Sequence, residues 1–526
     1  MNEFIAKYQD EIIGALTGFD RLVFRGSLRN IAYANGMDKC RTLNGVLLKD
    51  FGKYAEQASR RLEEESLEQA RRQNCAVEYL RSSRTDKEEM ARRIATERGI
   101  TDGLVCVLRC IEPCASFEVY RNRNQSQLEL KSRLRKCMHL YHYQFHPVLG
   151  WMNARVQTWF PFSIQICMNG REWLARQLDR TGTGYVKHDN CMAWVQDWQR
   201  AQCLLDEQLK VNWPQLLDGI AAQINPALEQ ILGKWEAHYY WSTHQAEWAT
   251  DVVFRDADKM RERYERMVRH SMTALSCTDV MRYLGRRVRL DGAVPANFTA
   301  EVMMDLRKRP EGVRIKHRID GNSLKVYDKA FTWVGNVMRF EATTTSVVSL
   351  KAYRPKEGDP QGKPEWRPMR KGIADLHRLA EVSDRATERY MNALAQVDES
   401  STVQQLVERL NQRKQWEGRW VRGLQPFGQD NALLLAVNRG EFLLQGVRNR
   451  DLQKLLFDQA PEQEAEKRRR GAWVSRQLRM LRAHGVIQKV PKTHRYQVTA
   501  QGRKVLAALF AAWNATVSQL TALPAA

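Results

Sequence analysis

The stretch from about Glu466 to Lys504, EKRRRGAWVSRQLRMLRAHGVIQKVPKTHRYQVTAQGRK, leaves the chain the least freedom. Three arginines, Arg468, Arg469 and Arg470, lead into a segment whose apolar positions Trp473, Leu478, Leu481 and Val486 keep near-helical spacing. Arg476, Arg479 and Arg482 fall on its other faces, and Gly485 stops the helix. Two extended runs follow, Val486 to Val490 and Arg495 to Val498, separated by the basic turn Pro491, Lys492, Thr493 and His494. A last helix resumes at Gln501, so the order is helix, hairpin, helix.

That order, spelled LRAHGVIQKVPKTHRYQVTAQG, resembles the winged helix-turn-helix domains of many bacterial proteins. The resemblance covers about 95 residues, with two more helices read in NALLLAVNRGEFLLQGVRNRDLQKLLF from Asn431. It implies that the helix before the hairpin enters a DNA major groove while the hairpin tip touches the backbone or minor groove. Carried onto this chain, Ser475, Arg476 and Arg479 would face bases, and Lys492, His494 and Arg495 phosphates. The whole chain also resembles a bacterial family whose members end in this domain, a resemblance that brings no activity with it.

With 526 residues, the chain is too long for one ordinary core, so two to four domains are expected. No run of about 18 apolar residues occurs, and MNEFIAKYQDEIIG reads as an acidic amphipathic helix rather than a signal peptide; no membrane association and a cytoplasmic location are expected. The 83 Lys and Arg against 61 Asp and Glu give a formal net charge of +22 that is scattered rather than held in a tail. Nucleic acid is the expected polyanion, DNA first and RNA as the alternative. The ten cysteines include no CxxC pair, and Cys106, Cys110 and Cys114 lie on one face of an extended run, as buried free thiols would.

The fold class expected is multidomain α+β. An N-terminal α/β domain runs over 1–230, with strands at Arg21 to Phe24, Ala76 to Leu80 and Leu104 to Ile111. A long helical region fills Leu43 to Arg72, and a helix capped at Thr85-x-x-Glu88 makes the later part βαβ-like. A basic hairpin turns at NRNQS, and the alternation around His139, His142 and His146 favours a strand over a metal-binding helix. A central α+β domain, 231–354, follows. In it His244, Glu247 and Asp251 are spaced i, i+3 and i+7, so on a helix they would face one way and could hold a divalent metal such as Mg²⁺.

The strands Val313 to Ile319 and Ser323 to Asp328, joined at Asp320-Gly321-Asn322, begin an antiparallel sheet. By period two they present Arg314, Lys316, Arg318 and Lys325 as a polyanion-binding face. The runs YDK and RFE (Tyr327, Asp328, Lys329, Arg339, Phe340 and Glu341) loosely resemble the nicking domain of plasmid and phage replication initiators. That resemblance implies Tyr327 as nucleophile with Asp328, Glu341 and His317 near a metal, but the His-x-His motif of that family is missing from this sequence. A linker at 355–372, a helical arm at 373–425 and the winged-helix domain at 426–526 complete the expected organisation.

No P-loop, GxGxxG or HExxH is present, and nucleotide-driven chemistry has no support in the sequence. The expected function is nucleic-acid binding in a mobile-element or replication context, with a structured RNA as a possible cargo. A metal-dependent nuclease or strand-transfer enzyme is the first alternative and a transcription regulator the second.

Overall fold

A computed structural model describes residues 2–122, 127–275, 277–285, 303–309, 312–319, 321–329, 336–356, 358–359, 361–395, 402–439, 442, 446–459, 461–490 and 493–517. The fold is α+β. Its strands are β1 (Ile12–Ser27), β2 (Ala76–Leu80), β3 (Gly103–Asn122), β4 (Gln127–His146), β5 (Gly150–Gln157), β6 (Ile164–Asn169), β7 (Tyr185–His188) and β8 (Cys191–Val195). They continue with β9 (Tyr240–Phe254), β10 (Met303–Arg309), β11 (Gly312–Ile319), β12 (Asn322–Asp328) and β13 (Val337–Thr344). Eleven of them form one sheet, in the order β10-β11-β12-β13-β9-β1-β6-β5-β4-β3-β2. Only β2 and β3 pair in parallel, because the helix Lys87–Arg98 crosses over between them.

The boundary expected at residue 230 separates segments that share this sheet: β9 pairs with β1 over most of its length and with β13 on its other side. One sheet face is apolar. Phe19, Leu22, Phe24, Ile166, Trp248, Leu324, Val326, Phe340 and Ala342 point into a layer of helices that includes Phe51–Arg72, Trp213–Ile224, Ala257–Ala274 and Leu376–Leu394. The last of these, expected as part of an arm, is instead a wall of the core, with Tyr390, Met391 and Leu394 fully buried.

The opposite face is polar along its middle. Helices Gly170–Thr181 and Trp198–Asp206 cover one part, burying Leu16, Leu174 and Leu205, and helix Lys87–Arg98 covers another over Cys106, Leu108 and Tyr143. Between them lies a strip carrying Arg21 and Arg25 of β1 beside Gln165 and Cys167 of β6.

Several local expectations shift by a few residues. The first helix is only Glu3–Lys7, because Ile12 and Ile13 belong to β1. Asp86 rather than Thr85 caps the helix Lys87–Arg98, accepting from the Glu89 amide at 3.0 Å. Thr402 and Gln405 form a capping box on the helix Val403–Asn411. Residues 139 to 146 are strand, as their alternation predicted, and His142 is buried with Nε2 2.6 Å from Ser66 Oγ. Cys106, Cys110 and Cys114 are buried free thiols.

The C-terminal residues build their own core. Helices Asn431–Val437, Asn449–Leu456 and Glu464–Ala483 pack with the hairpin Ile487–Lys489/Tyr496–Val498 and the helix Ala500–Asn514 around Leu434, Val437, Leu452, Leu478, Leu481 and Leu506. Gly485 ends the long helix at φ +72°, and the Val486 amide returns to the Leu481 carbonyl at 2.9 Å. A bridge from Val447 to Tyr496 lays a third extended segment against the hairpin. Among the described residues no helix is long and apolar enough to cross a membrane.

Candidate functional site

At the centre of the polar face β1 carries one extra residue relative to β9: Phe19 pairs with Trp248 and Arg21 with Glu247, leaving Asp20 as the bulge. The bulge sends Asp20 and Arg21 to the same side. On β13 Glu341 shares one face with Arg339 and Thr343, so it too reaches this side, and Thr343 pairs with Glu247. Ligand oxygens of Asp20, Glu247 and Glu341 thereby lie within 4.8 Å of one another, the one such group of three possible ligands among the described residues.

Asp20 and Glu341 are buried and Glu247 is half-buried. Glu341 is ion-paired with Lys325 of β12 and accepts from Thr343 Oγ1 at 2.9 Å. Asp20 accepts from Asn190 Nδ2 and from Arg339 Nη1, each at 3.0 Å. Glu247 has a weaker partner, the Gln245 amide at 2.6 Å. Burial, and then the neighbouring Glu341 charge, push its carboxyl up to about 7. Burial works against the charge on Glu341 as well, but Lys325 outweighs it and holds Glu341 below the usual carboxylate range. The cluster therefore keeps a proton on Glu247 near neutral pH, and a hard divalent cation is the natural replacement for that proton.

Four residues along β9, about 13 Å by strand rise, Asp251 answers to a different pair. Arg171 Nε lies 2.9 Å from its Oδ2 and Arg339 Nη2 2.8 Å from the same oxygen, while Arg339 Nε donates to Oδ1 at 2.5 Å. All three side chains are almost wholly buried. Burial opposes the Asp251 charge, but the two guanidiniums win and hold its pKa down to about 2. Gly170 makes the approach possible: a Cβ there would stand 1.6 Å from the Phe19 carbonyl oxygen. Asn169, the cap of that helix, accepts from the Arg171 amide at 2.8 Å and so sets where the Arg171 side chain begins.

The residues singled out from sequence divide accordingly. His244, Glu247 and Asp251 lie on a strand, not a helix, so i, i+3, i+7 spacing does not bring them together. Glu247 joins the carboxylate group, Asp251 is clamped by arginines, and His244 sits at a second bulge and lines a separate cavity. Tyr327 shares the face of Glu341, but burial and then Glu341 push its phenol up, the reverse of an activated nucleophile. Asp328 and His317 point the other way. His317 is buried beside Tyr390, ring centroids 5.6 Å apart, and burial lowers its pKa to about 4.

The basic face expected on the sheet is also altered: Lys325 is buried against Glu341, Arg314 and Lys316 are half-buried, and Arg318 is exposed. Asp20 is the residue that sequence reasoning missed. Its only signal was a charged Asp-Arg pair inside the apolar run TGFDRLVF.

Further along the same face a cavity of about 250 Å³ is lined by Arg25, His139, Arg155, Gln157, Gln165 and His244. Arg155 is held at 2.9 Å by Glu112, and His139 is lowered to about 4 by burial and then by Arg155. In the C-terminal core Arg468, Arg469, Arg476 and Arg479 are exposed on the long helix whose Val474, Leu478 and Leu481 are buried. Ser475 is tied down, accepting from Asn449 Nδ2 and donating to the Gly471 carbonyl, both at 2.9 Å. Arg470 pairs with Glu466 and Arg482 lies 3.4 Å from Glu417. His494 is exposed and Arg495 half-buried, with Nη1 3.4 Å from the Gly446 carbonyl; Lys492 lies outside the described residues. No protein-family model, curated protein or solved structure matches the chain.

Proposed function

We propose that this chain binds nucleic acid, with its C-terminal unit reading duplex DNA as a winged helix, in a mobile-element or replication setting. The observation that carries the reading is the helix Glu464–Ala483. It buries Val474, Leu478 and Leu481 against the hairpin while leaving Arg468, Arg469, Arg476 and Arg479 exposed. The order of helices, the Val447–Tyr496 bridge and the following hairpin match the arrangement in which such a helix enters a major groove. The net charge of +22 supports the same class of partner, RNA included.

In the test, full-length protein carrying Arg476→Ala and Arg479→Ala is titrated against labelled duplexes selected for binding by the unaltered chain. Loss of about 1–3 kcal/mol per base-contacting arginine, with relaxed sequence preference, is expected. Unchanged preference removes this helix as the reading element.

A second reading, metal-dependent phosphodiester cleavage or strand transfer, is favoured by the convergence of Asp20, Glu247 and Glu341. On this reading the carboxylates hold one or more divalent ions, and Arg21, exposed beside them, steers the backbone. Cleavage of labelled DNA or RNA that requires Mg²⁺ or Mn²⁺ and disappears in Asp20→Asn is the expected result. Cleavage that survives this substitution, or none with any divalent ion, eliminates the reading.

A further inference from the structure

Part of the segment read from sequence as a linker, 355–372, folds back onto the strand before it. Lys351–Arg354 and Glu365–Pro368 pair as an antiparallel hairpin, with Tyr353 opposite Trp366. Both aromatic side chains stand in solvent, Tyr353 59% and Trp366 56% exposed, with ring centroids 5.5 Å apart and planes inclined at 53°. Arg378 packs over one side of Trp366 at 5.2 Å, and its Nε donates to the Lys351 carbonyl at 3.1 Å, which fixes the ring from behind. On the other face of these strands, where Arg354 and Arg367 alternate with the two rings, is a cavity of about 440 Å³ lined by Arg354, Lys356, Gly358, Arg367, Pro368 and Arg370. Asp375 and Glu365 hold Arg354 and Arg367 in place, each at 3.2 Å.

The hairpin is fastened to the sheet where the Lys371 carbonyl accepts from the Thr243 amide at 2.6 Å and Gly372 bridges Ser242. Thr243, which bonds Lys371, precedes His244, and His244 lines the cavity with Arg25 and Arg155, so the basic run of the hairpin ends next to that cavity. Between residues 351 and 371 there are seven Lys and Arg against three Asp and Glu.

We propose that this hairpin is a binding site for unpaired nucleic acid, with Tyr353 and Trp366 as the stacking platform for bases and the cavity of Arg354, Lys356, Arg367 and Arg370 as the seat of the backbone phosphates. Exposed rings on one face of a short two-stranded hairpin and cations on its other face suit a single strand that wraps its edge, since every base has a face to stack and every linkage a charge. A duplex keeps its bases stacked on one another, and an acidic peptide would use the cations but leave both rings bare. The inference rests on the nucleic-acid reading above and adds which form of strand binds here.

The test uses the full chain and two fluorescein-labelled probes, an oligo-dT of about 20 nucleotides, long enough to exceed a single stacking site, and a mixed-sequence duplex of the same length. Tyr353→Ala combined with Trp366→Ala is expected to weaken oligo-dT binding about tenfold or more and to change duplex binding less than about twofold. Trp366→Leu, which keeps apolar bulk under Arg378 but removes the π face, is expected to lose much of the same affinity with an unchanged melting temperature. Lys356→Ala should reduce the slope of log affinity against log salt for oligo-dT by about 0.7. Oligo-dT affinity untouched by these changes, equal losses on both probes, or displacement of oligo-dT by polyglutamate at equal charge overturns the assignment while leaving the nucleic-acid reading standing. Failure of the unaltered chain to bind either probe overturns both.

Discussion

Asp251 shows why charge type alone does not identify a ligand. Spacing nominated it with His244 and Glu247, yet its partner Arg171 comes from 80 positions away in the chain, beyond any local pattern. Replacing Asp251 by Asn leaves the buried Arg171 without its counter-charge and Arg339 with Asp20 alone, and a loss of about 3–5 kcal/mol of stability is expected from urea unfolding. A loss under about 1 kcal/mol would mean that the clamp behaves like a surface pair. Because its pKa is depressed to about 2 from an ordinary 3.8, Asp251 adds stability above pH 3.8 that disappears as pH falls through 2.

Glu247 has the opposite sign. Raised to about 7 from 4.5, it is protonated in the folded chain below neutrality, so its carboxylate becomes a ligand only as pH rises through 7. Mn²⁺ binding followed by calorimetry should accordingly tighten between pH 6 and 8 and release up to one proton, and Glu247→Gln should flatten that dependence. A Mn²⁺ affinity independent of pH in the unaltered chain contradicts the assignment.

At the scale of elements, what was legible depended on whether a segment meets solvent on one side. The helix ended by Gly485, the hairpin after it and the helix Leu376–Leu394 each carry one polar and one apolar face, and their periods read directly. The strand β9 does not. It is zipped between β1 and β13 with both faces largely covered, and its mixture of Trp241, His244, Glu247, Trp248 and Asp251 fits neither period cleanly. The carboxylate centre was hidden for the same reason. Glu247 and Glu341 stood out as candidates, but only the pairing of three strands distant in sequence, and a one-residue bulge, adds Asp20 and separates Asp328. The hairpin of Tyr353 and Trp366 was masked by its four prolines and its glycines, which read as a linker because the two strands are only four residues each.

Across the whole molecule, a single eleven-stranded sheet turns two expected domains into one scaffold for the residues up to β13, with a carboxylate centre and the cavity of Arg25 and Arg155 on its polar side and a second cationic cavity at the hairpin of Lys351–Arg354 and Glu365–Pro368. The exposed arginines of the C-terminal helix make a further basic surface. On the proposed reading the two cationic cavities and this helix surface share affinity for a polyanion, so the most direct measurement is the dependence of nucleic-acid affinity on salt. Fluorescence anisotropy of a labelled duplex titrated with the full chain from 50 to 200 mM salt is predicted to give a log–log slope of about −2 or steeper, at roughly 0.9 for each phosphate contacted by Arg468 and Arg469. A slope near zero, or no binding at 50 mM salt, contradicts the account.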